Sequence, residues 1–160
     1  MLFGRRRFDP QPTAPAGVLL ASTGEPFSKA AVRRAHELAA GETVAVLTIL
    51  KVYGSQFGLP NPGLLPTRRE REEQYTLMQR TIAALERRGG GTVDGQIAAT
   101  RSAGRTIAKV ARARNVRYVV MDDRPQTGMG RFAQGSIVAT VRRRLAAGVV
   151  LELVAVPASR

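Results

Sequence analysis

The segment with the most chemical potential is Val119-Val-Met-Asp-Asp-Arg-Pro-Gln-Thr-Gly-Met-Gly-Arg-Phe-Ala-Gln-Gly-Ser-Ile-Val. It reads as a buried strand, a Gly-rich loop, and a helix whose N-cap is Ser136. A loop entering a helix N-terminus turns backbone N–H groups toward an anion, and the helix dipole assists, so the segment has the makings of a phosphate cradle. The spacing of Gly128, Gly130 and Gly135 fits neither the dinucleotide fingerprint nor the P-loop, whose Lys is absent. The plainer reading is a flexible connection with an ordinary cap.

Catalytic groups are scarce. The single histidine, His36, lies in a helical stretch beside Glu37, so neither Ser22 nor Ser136 has a histidine placed to activate it. Asp122 and Asp123 are adjacent on an extended segment and point to opposite sides, which suits loop capping or solvation better than a shared metal. With no Cys in the chain, disulfides, thiolate zinc, iron–sulfur clusters and a cysteine nucleophile are excluded. The sequence is read as non-enzymatic, with no metal site.

The elements that position these residues alternate. Gly17 to Ser22 is a short apolar strand followed by a loop, and Ser28 precedes a helix with Ala31, Val32, Ala35, Leu38 and Ala39 on one stripe, ending at Gly41. Glu42 to Val52 is β-branched and apolar on both faces, as a central parallel strand is. Thr67 opens a charged helix through Arg88 with Tyr75, Met78, Ile82 and Leu85 at helical spacing. Strands over Val93 to Thr100 and Arg117 to Met121, helices over Thr106 to Arg114 and Ser136 to Leu145, and a last strand over Gly148 to Val156 complete the order β-α-β-α-β-α-β-α-β. This predicts an α/β fold: a single Rossmann-like domain with a five-stranded, mostly parallel sheet and helices on both faces. Ligands of such sheets sit at the carboxyl ends of the strands, at the switch point.

Around this domain, assigned to residues 17–157, residues 1–16 read as a disordered basic, Pro-rich leader, since Arg5-Arg-Arg is followed by no apolar stretch of a signal peptide. Residues 53–66, rich in Gly and Pro, read as a mobile lid or insertion. Apolar runs fall short of the roughly 18 residues of a membrane span, so a cytoplasmic protein with no membrane partner is expected.

Lys plus Arg number 25 against 12 Asp plus Glu, a formal charge of +13, and only three of the cations are Lys. Such a charge attracts nucleic acid or another polyanion, and an Arg excess also arises from a GC-rich genome with no binding role. Three Tyr, five Phe and no Trp leave little for base stacking. Arg142-Arg-Arg144 ends its helix, where positive charge complements the dipole.

Taken together, the order of elements resembles the universal stress protein family over about Gly17 to Pro157. The match rests on Leu19-Leu-Ala-Ser-Thr-Gly after the leader, Ser102-Ala-Gly-Arg-Thr-Ile before the third helix, and Val119-Val-Met121. Gly128, Arg131 and Gly135-Ser136 at family spacing, and the closing Val156-Pro157, add to it. Members that bind ATP carry a Gly-x2-Gly-x9-Gly-Ser/Thr loop, and here the two leading glycines fall at Asp122 and Pro125, while Gly135-Ser136 is intact. The acidic residue that contacts the nucleoside in those members falls at Thr23. The resemblance therefore implies a stress-response binding protein with a degenerate nucleotide site, one that does not bind ATP. Carboxylates at phosphate positions and a proline without a donor point the same way. The alternatives are an ATP-binding, slowly hydrolysing member that uses the 128–136 loop, and a basic protein that docks on polyanions. If ATP binds, the resemblance nominates Gly135, Ser136 and Arg131 for phosphate, with Gly128 and Gly130 as further donors. It nominates Met121 and Thr23 for the nucleoside and Val44 for the adenine edge. It also implies a homodimer through the edge strand Val149 to Val156, where Glu152 is either an interface residue or a gatekeeper against pairing.

Overall fold

The structure, a computed structural model, describes residues 13–52, 65–124 and 128–157, of which 128–134 are described by their backbone alone. The chain alternates strand and helix: β1 (Val18–Ser22), α1 (Lys29–Ala39), β2 (Val44–Lys51), α2 (Arg68–Arg87), β3 (Val93–Thr100), α3 (Ala103–Ala113), β4 (Tyr118–Asp123), α4 (Gly128–Arg144) and β5 (Val150–Ala155). All the pairings are parallel, in the order β3-β2-β1-β4-β5. Each crossover needs a helix to return the chain, and the chain moves outward from β1 first through β2 and β3, then to the other side through β4 and β5. The switch point therefore lies between β1 and β4.

Both faces of the sheet are buried, which is why β1 reads as an unbroken apolar run rather than an alternating one. On one face Val18, Leu20, Val44, Val46 and Val120 pack beneath Ala31, Val32 and Ala35 of α1 and Met78 and Leu85 of α2. On the other, Leu19, Leu47, Ile49, Val119 and Met121 meet Ala103, Ile107 and Ala111 of α3 and Val141 of α4. In α2 the buried stripe is Met78, Thr81 and Leu85, and Tyr75, assigned to it from sequence, stands 36% exposed.

The caps follow their residues. Ser28 Oγ accepts from Ala31 N–H at 3.0 Å, and α1 ends through Ala40 in the left-handed region and Gly41 at φ +88°. Thr67 and Glu70 form a reciprocal capping box on α2. Two helix starts differ from the sequence reading. Helix α3 starts at Ala103, not Thr106, because Gly104 belongs to its first turn: a Cβ there would lie 2.8 Å from Thr140 Cβ, so glycine is what lets α4 approach. Helix α4 starts at Gly128, so Ser136 is an interior helical residue and not the N-cap. The spacing of Met129, Phe132, Ala133, Ile137, Thr140 and Val141 suits a helix, and glycines at 128 and 130 fall in the first turn, where interior helical propensity matters least.

The packed domain also begins before Gly17. Ala16 is buried, its N–H donates to Arg114 C=O at 2.9 Å, and Arg114 Nε donates to Ala14 C=O. Arg114 is 1% exposed and forks onto Asp94 of β3, Nη1 to Oδ1 at 2.9 Å and Nη2 to Oδ2 at 2.5 Å. One guanidinium thus ties the end of α3, a strand and the segment entering β1. The proposed leader up to residue 12, and residues 53–64 of the proposed lid, lie outside the described residues.

Candidate functional site

At the switch point the carboxyl ends of β1 and β4 open into a crevice lined by Ala21, Ser22, Thr23, Glu25, Met121, Asp122 and Arg124. This is where a parallel sheet of this order leaves room for a ligand, because the loops after β1 and β4 depart to opposite faces. Here the room is filled by polar contacts within the chain. Strand β4 continues two residues beyond Met121, with Asp122 beside Val154 and Asp123 beside Ala155. The alternation of an extended strand sends Asp123 to solvent and Asp122 inward, to a side chain only 10% exposed.

Asp122 closes onto the start of α1. Its Oδ2 accepts from Ser28 N–H at 2.8 Å, and its Oδ1 accepts from Ser28 Oγ–H at 2.5 Å. Helix α1 has no acidic residue in its first turn, so a carboxylate 94 positions away supplies the negative charge that its N-terminus favours. Arg124 Nη2 stands 3.5 Å from Asp122 Oδ2 and donates to Pro26 C=O. The β1–α1 loop is tied down at two further points. Ser22 Oγ–H donates to Glu25 C=O and accepts from Gly24 N–H at 3.2 Å, and Gln74 Nε2 of α2 donates to Gly24 C=O at 2.8 Å. Gly24 carries φ +108°, a conformation that glycine adopts without strain. Around this lock, Thr48 Oγ1, Gln74 Oε1 and Arg124 Nε are buried without a hydrogen-bond partner among the described residues.

The residues nominated from sequence divide into three groups. Thr23 and Met121 line the crevice, as expected of them. Val44 does not. It is the first residue of β2 and pairs with Val18 and Val93 at the amino end of the sheet, whereas the residue level with Ser22 is Thr48. Four strand residues separate them, about 13 Å. Gly128, Gly130 and Arg131 begin α4 just beyond β4, and Gly135 and Ser136 lie two turns into the same helix and are exposed. In a helix only the first four N–H groups lack an internal partner, so the amides of Gly135 and Ser136 serve the helix. The residues that sequence reasoning missed are Ser28 as a donor, Glu25 and Gln74. Ser28 was legible as a cap, but nothing in a single sequence signals its reach to Asp122.

Elsewhere, Glu152 in the edge strand β5 accepts from Arg34 Nε of α1 at 2.6 Å, a hydrogen bond that raises the pKa of the guanidinium. Its side chain is therefore engaged with the α1 layer. His36 Nε2 lies 2.8 Å from Gly89 C=O, tethering α1 to the end of α2. Among the described residues no three His, Asp or Glu side chains gather as a metal site requires, and no helix is long and apolar enough to cross a membrane.

Comparison with known proteins agrees with this architecture. A family model described as the universal stress protein family matches residues 17–151. Among solved structures, a universal stress protein in complex with cAMP is similar at a TM-score of 0.62 and 16% identity, over 89% of this chain and 98% of that one. The universal stress protein from Archaeoglobus fulgidus in complex with dAMP is similar at 0.55 and 14%, over 88% and 96%. A protein of the same family from Burkholderia pseudomallei is similar at 0.58 and 18%, over 92% and 100%. No curated protein matches the chain. With the family model spanning most of its length, the chain belongs to the universal stress protein family.

Proposed function

We propose that this universal stress protein is a stress-response binding protein whose nucleotide crevice is closed by its own side chains, and that it acts through association rather than through bound ATP or catalysis. The observation that carries this reading is the Asp122 lock. A carboxylate stands at the end of β4, held by two donors of Ser28, where the family's nucleotide loop begins with glycine. An entering phosphate would meet that anion and would have to displace it from Ser28. Losing two hydrogen bonds to a charged group costs about 3 kcal/mol or more, a factor of more than about 100 in Kd. Pro125 offers no N–H to replace them.

Two solved relatives hold cAMP and dAMP, so ATP binding is the rival reading. The helical backbone from Gly128 weighs against it, since the amides of Gly135 and Ser136 fall beyond the first turn. The exposed strand β5, with Val150 47% exposed and Leu151 and Leu153 only partly covered, supports a homodimer through that edge.

Titration calorimetry of the full chain with ATP and ADP, with and without magnesium and at two salt concentrations, tests the closed crevice. The expected result is no saturable heat that discriminates adenine from other bases. Stoichiometric, adenine-selective binding that Gly135→Asp abolishes would overturn it. Gly135 has open space around it, so that variant is expected to fold.

A further inference from the structure

The charges of this protein are segregated between its two helical layers. No Asp or Glu occurs from Arg101 to Arg117 or from Gly128 to Gly148, the segments that build α3 and α4. In those segments Arg101, Arg105, Lys109 and Arg112, and then Arg142, Arg143 and Arg144, are exposed. None of the seven has an ion-pair partner among the described residues. Arg114 and Arg117, in contrast, pair with Asp94 and Glu42. The α1–α2 layer differs in that glutamates are interspersed among its cations: Arg33, Arg34, Arg68 and Arg69 each pair with one, while Arg71, Arg80, Arg87 and Arg88 are exposed without an ion pair among the described residues.

The helix dipole accounts for only part of the unpaired set. Arg112 and Arg142 to Arg144 sit in last turns, where cations are favoured, but Arg101 and Arg105 flank the start of α3, where the dipole opposes them. Arg101 and Arg105 thus have neither an ion pair among the described residues nor a dipole that favours them. Close packing of α3 on α4, at Gly104 against Ile137 and Thr140, makes the two sets parts of one layer.

We propose that the α3–α4 face docks on the phosphate backbone of double-stranded nucleic acid without reading its bases. Six of the seven cations are Arg, whose fork matches phosphate oxygens. Along α3, Arg105, Lys109 and Arg112 span a rise of about 10.5 Å, over which one strand of a duplex, with a phosphate every ~3.4 Å of axis, presents about three phosphates. Residues 101–117 and 135–148 contain no aromatic side chain, so among the described side chains this face offers no stacking platform for a single strand. Among the described residues the exposed large apolar side chains, which would enter a lipid interface, are Leu65, Tyr75 and Val150, none of them on α3 or α4. A second copy of this chain is a poor occupant, since at a formal charge of +13 it would meet the face with like charge.

The experiment measures fluorescence anisotropy of a labelled 20-base-pair duplex of arbitrary sequence with the full chain between 50 and 200 mM salt. With six or seven phosphates neutralised, affinity should fall about 10³-fold or more across that range. Arg105→Gln/Lys109→Gln/Arg112→Gln should lower the salt slope by about three, and so should Arg142→Gln/Arg143→Gln/Arg144→Gln. Arg68→Gln/Arg69→Gln/Arg71→Gln, which removes the same charge from α2, should leave the slope unchanged. All nine side chains are exposed, so the folds are expected to survive, and two separate variants on the proposed face guard against loss of either one. The proposal is overturned by absent binding at 50 mM salt, by equal losses in the α2 variant, or by equal affinity for polyglutamate or phosphatidylserine vesicles.

Discussion

Replacing Asp122 by alanine should weaken the fold measurably, because its carboxylate joins β4 to the first turn of α1. The variant loses acceptors for Ser28 N–H at 2.8 Å and Ser28 Oγ–H at 2.5 Å. Hydrogen bonds to a charged group contribute about 1.5–3 kcal/mol each, and the charge at a helix N-terminus about 0.3–1 kcal/mol more. The side chain is 10% exposed at the mouth of a crevice, so water can reach Ser28 and recover part of the loss. The expected destabilisation is therefore about 2–4 kcal/mol, less than the full sum, which for a chain of this length lowers Tm by roughly 5–15 °C. Asp122→Asn keeps an acceptor without the charge and should lose about half as much. Urea unfolding followed by circular dichroism reads these differences directly, provided the m-value is unchanged. A double-mutant cycle with Ser28→Ala isolates the contact, with an expected coupling of about 1–2 kcal/mol. An Asp122→Ala variant within about 0.5 kcal/mol of the parent, or strict additivity in the cycle, would refute the lock, since surface changes alone stay inside that margin.

Two further outcomes follow from the same geometry. Arg114→Ala should destabilise by about 3–5 kcal/mol in urea unfolding, since it leaves Asp94 without its fork, and Arg114→Lys should recover only part because an ammonium cannot bond both oxygens in plane; a loss under 1 kcal/mol for either would show the buried pair to be dispensable. In β5 the N–H groups of Val150 and Val156 donate to Arg117 and Asp123 C=O, so the amides of the odd-numbered residues point away from β4. Ala155→Pro should then convert a dimer to a monomer in sedimentation while leaving the fold intact; a monomeric parent or a dimeric variant would exclude pairing through this edge.

The layout was legible in the sequence because its signals are local. Apolar runs rich in β-branched residues alternate with amphipathic stretches, and a parallel sheet with a crevice at the switch point follows from that alternation alone. At the starts of α3 and α4 the difference comes from glycine. Gly104, Gly128, Gly130 and Gly135 look like loop residues, yet Gly104 is a contact point between α3 and α4 and the other three lie within α4. Val44, nominated by the resemblance for the adenine edge, pairs with Val18 at the amino end of the sheet, about 13 Å along β2 from Thr48, the residue level with Ser22. Asp122 is the instructive case, since its charge and its conflict with phosphate were readable from the residue type. Its partner was not, because Ser28 lies 94 positions away and meets it only once the right-handed crossover has laid α1 beside β4. A carboxylate turned inward at a strand end must find donors, and in this topology the N-cap of α1 supplies them as the N–H and Oγ–H of Ser28. In the proposed closed crevice the carboxylate that opposes an anion is also the one that fastens β4 to the N-cap of α1, so the calorimetric test of nucleotide affinity and the unfolding test of stability bear on one residue.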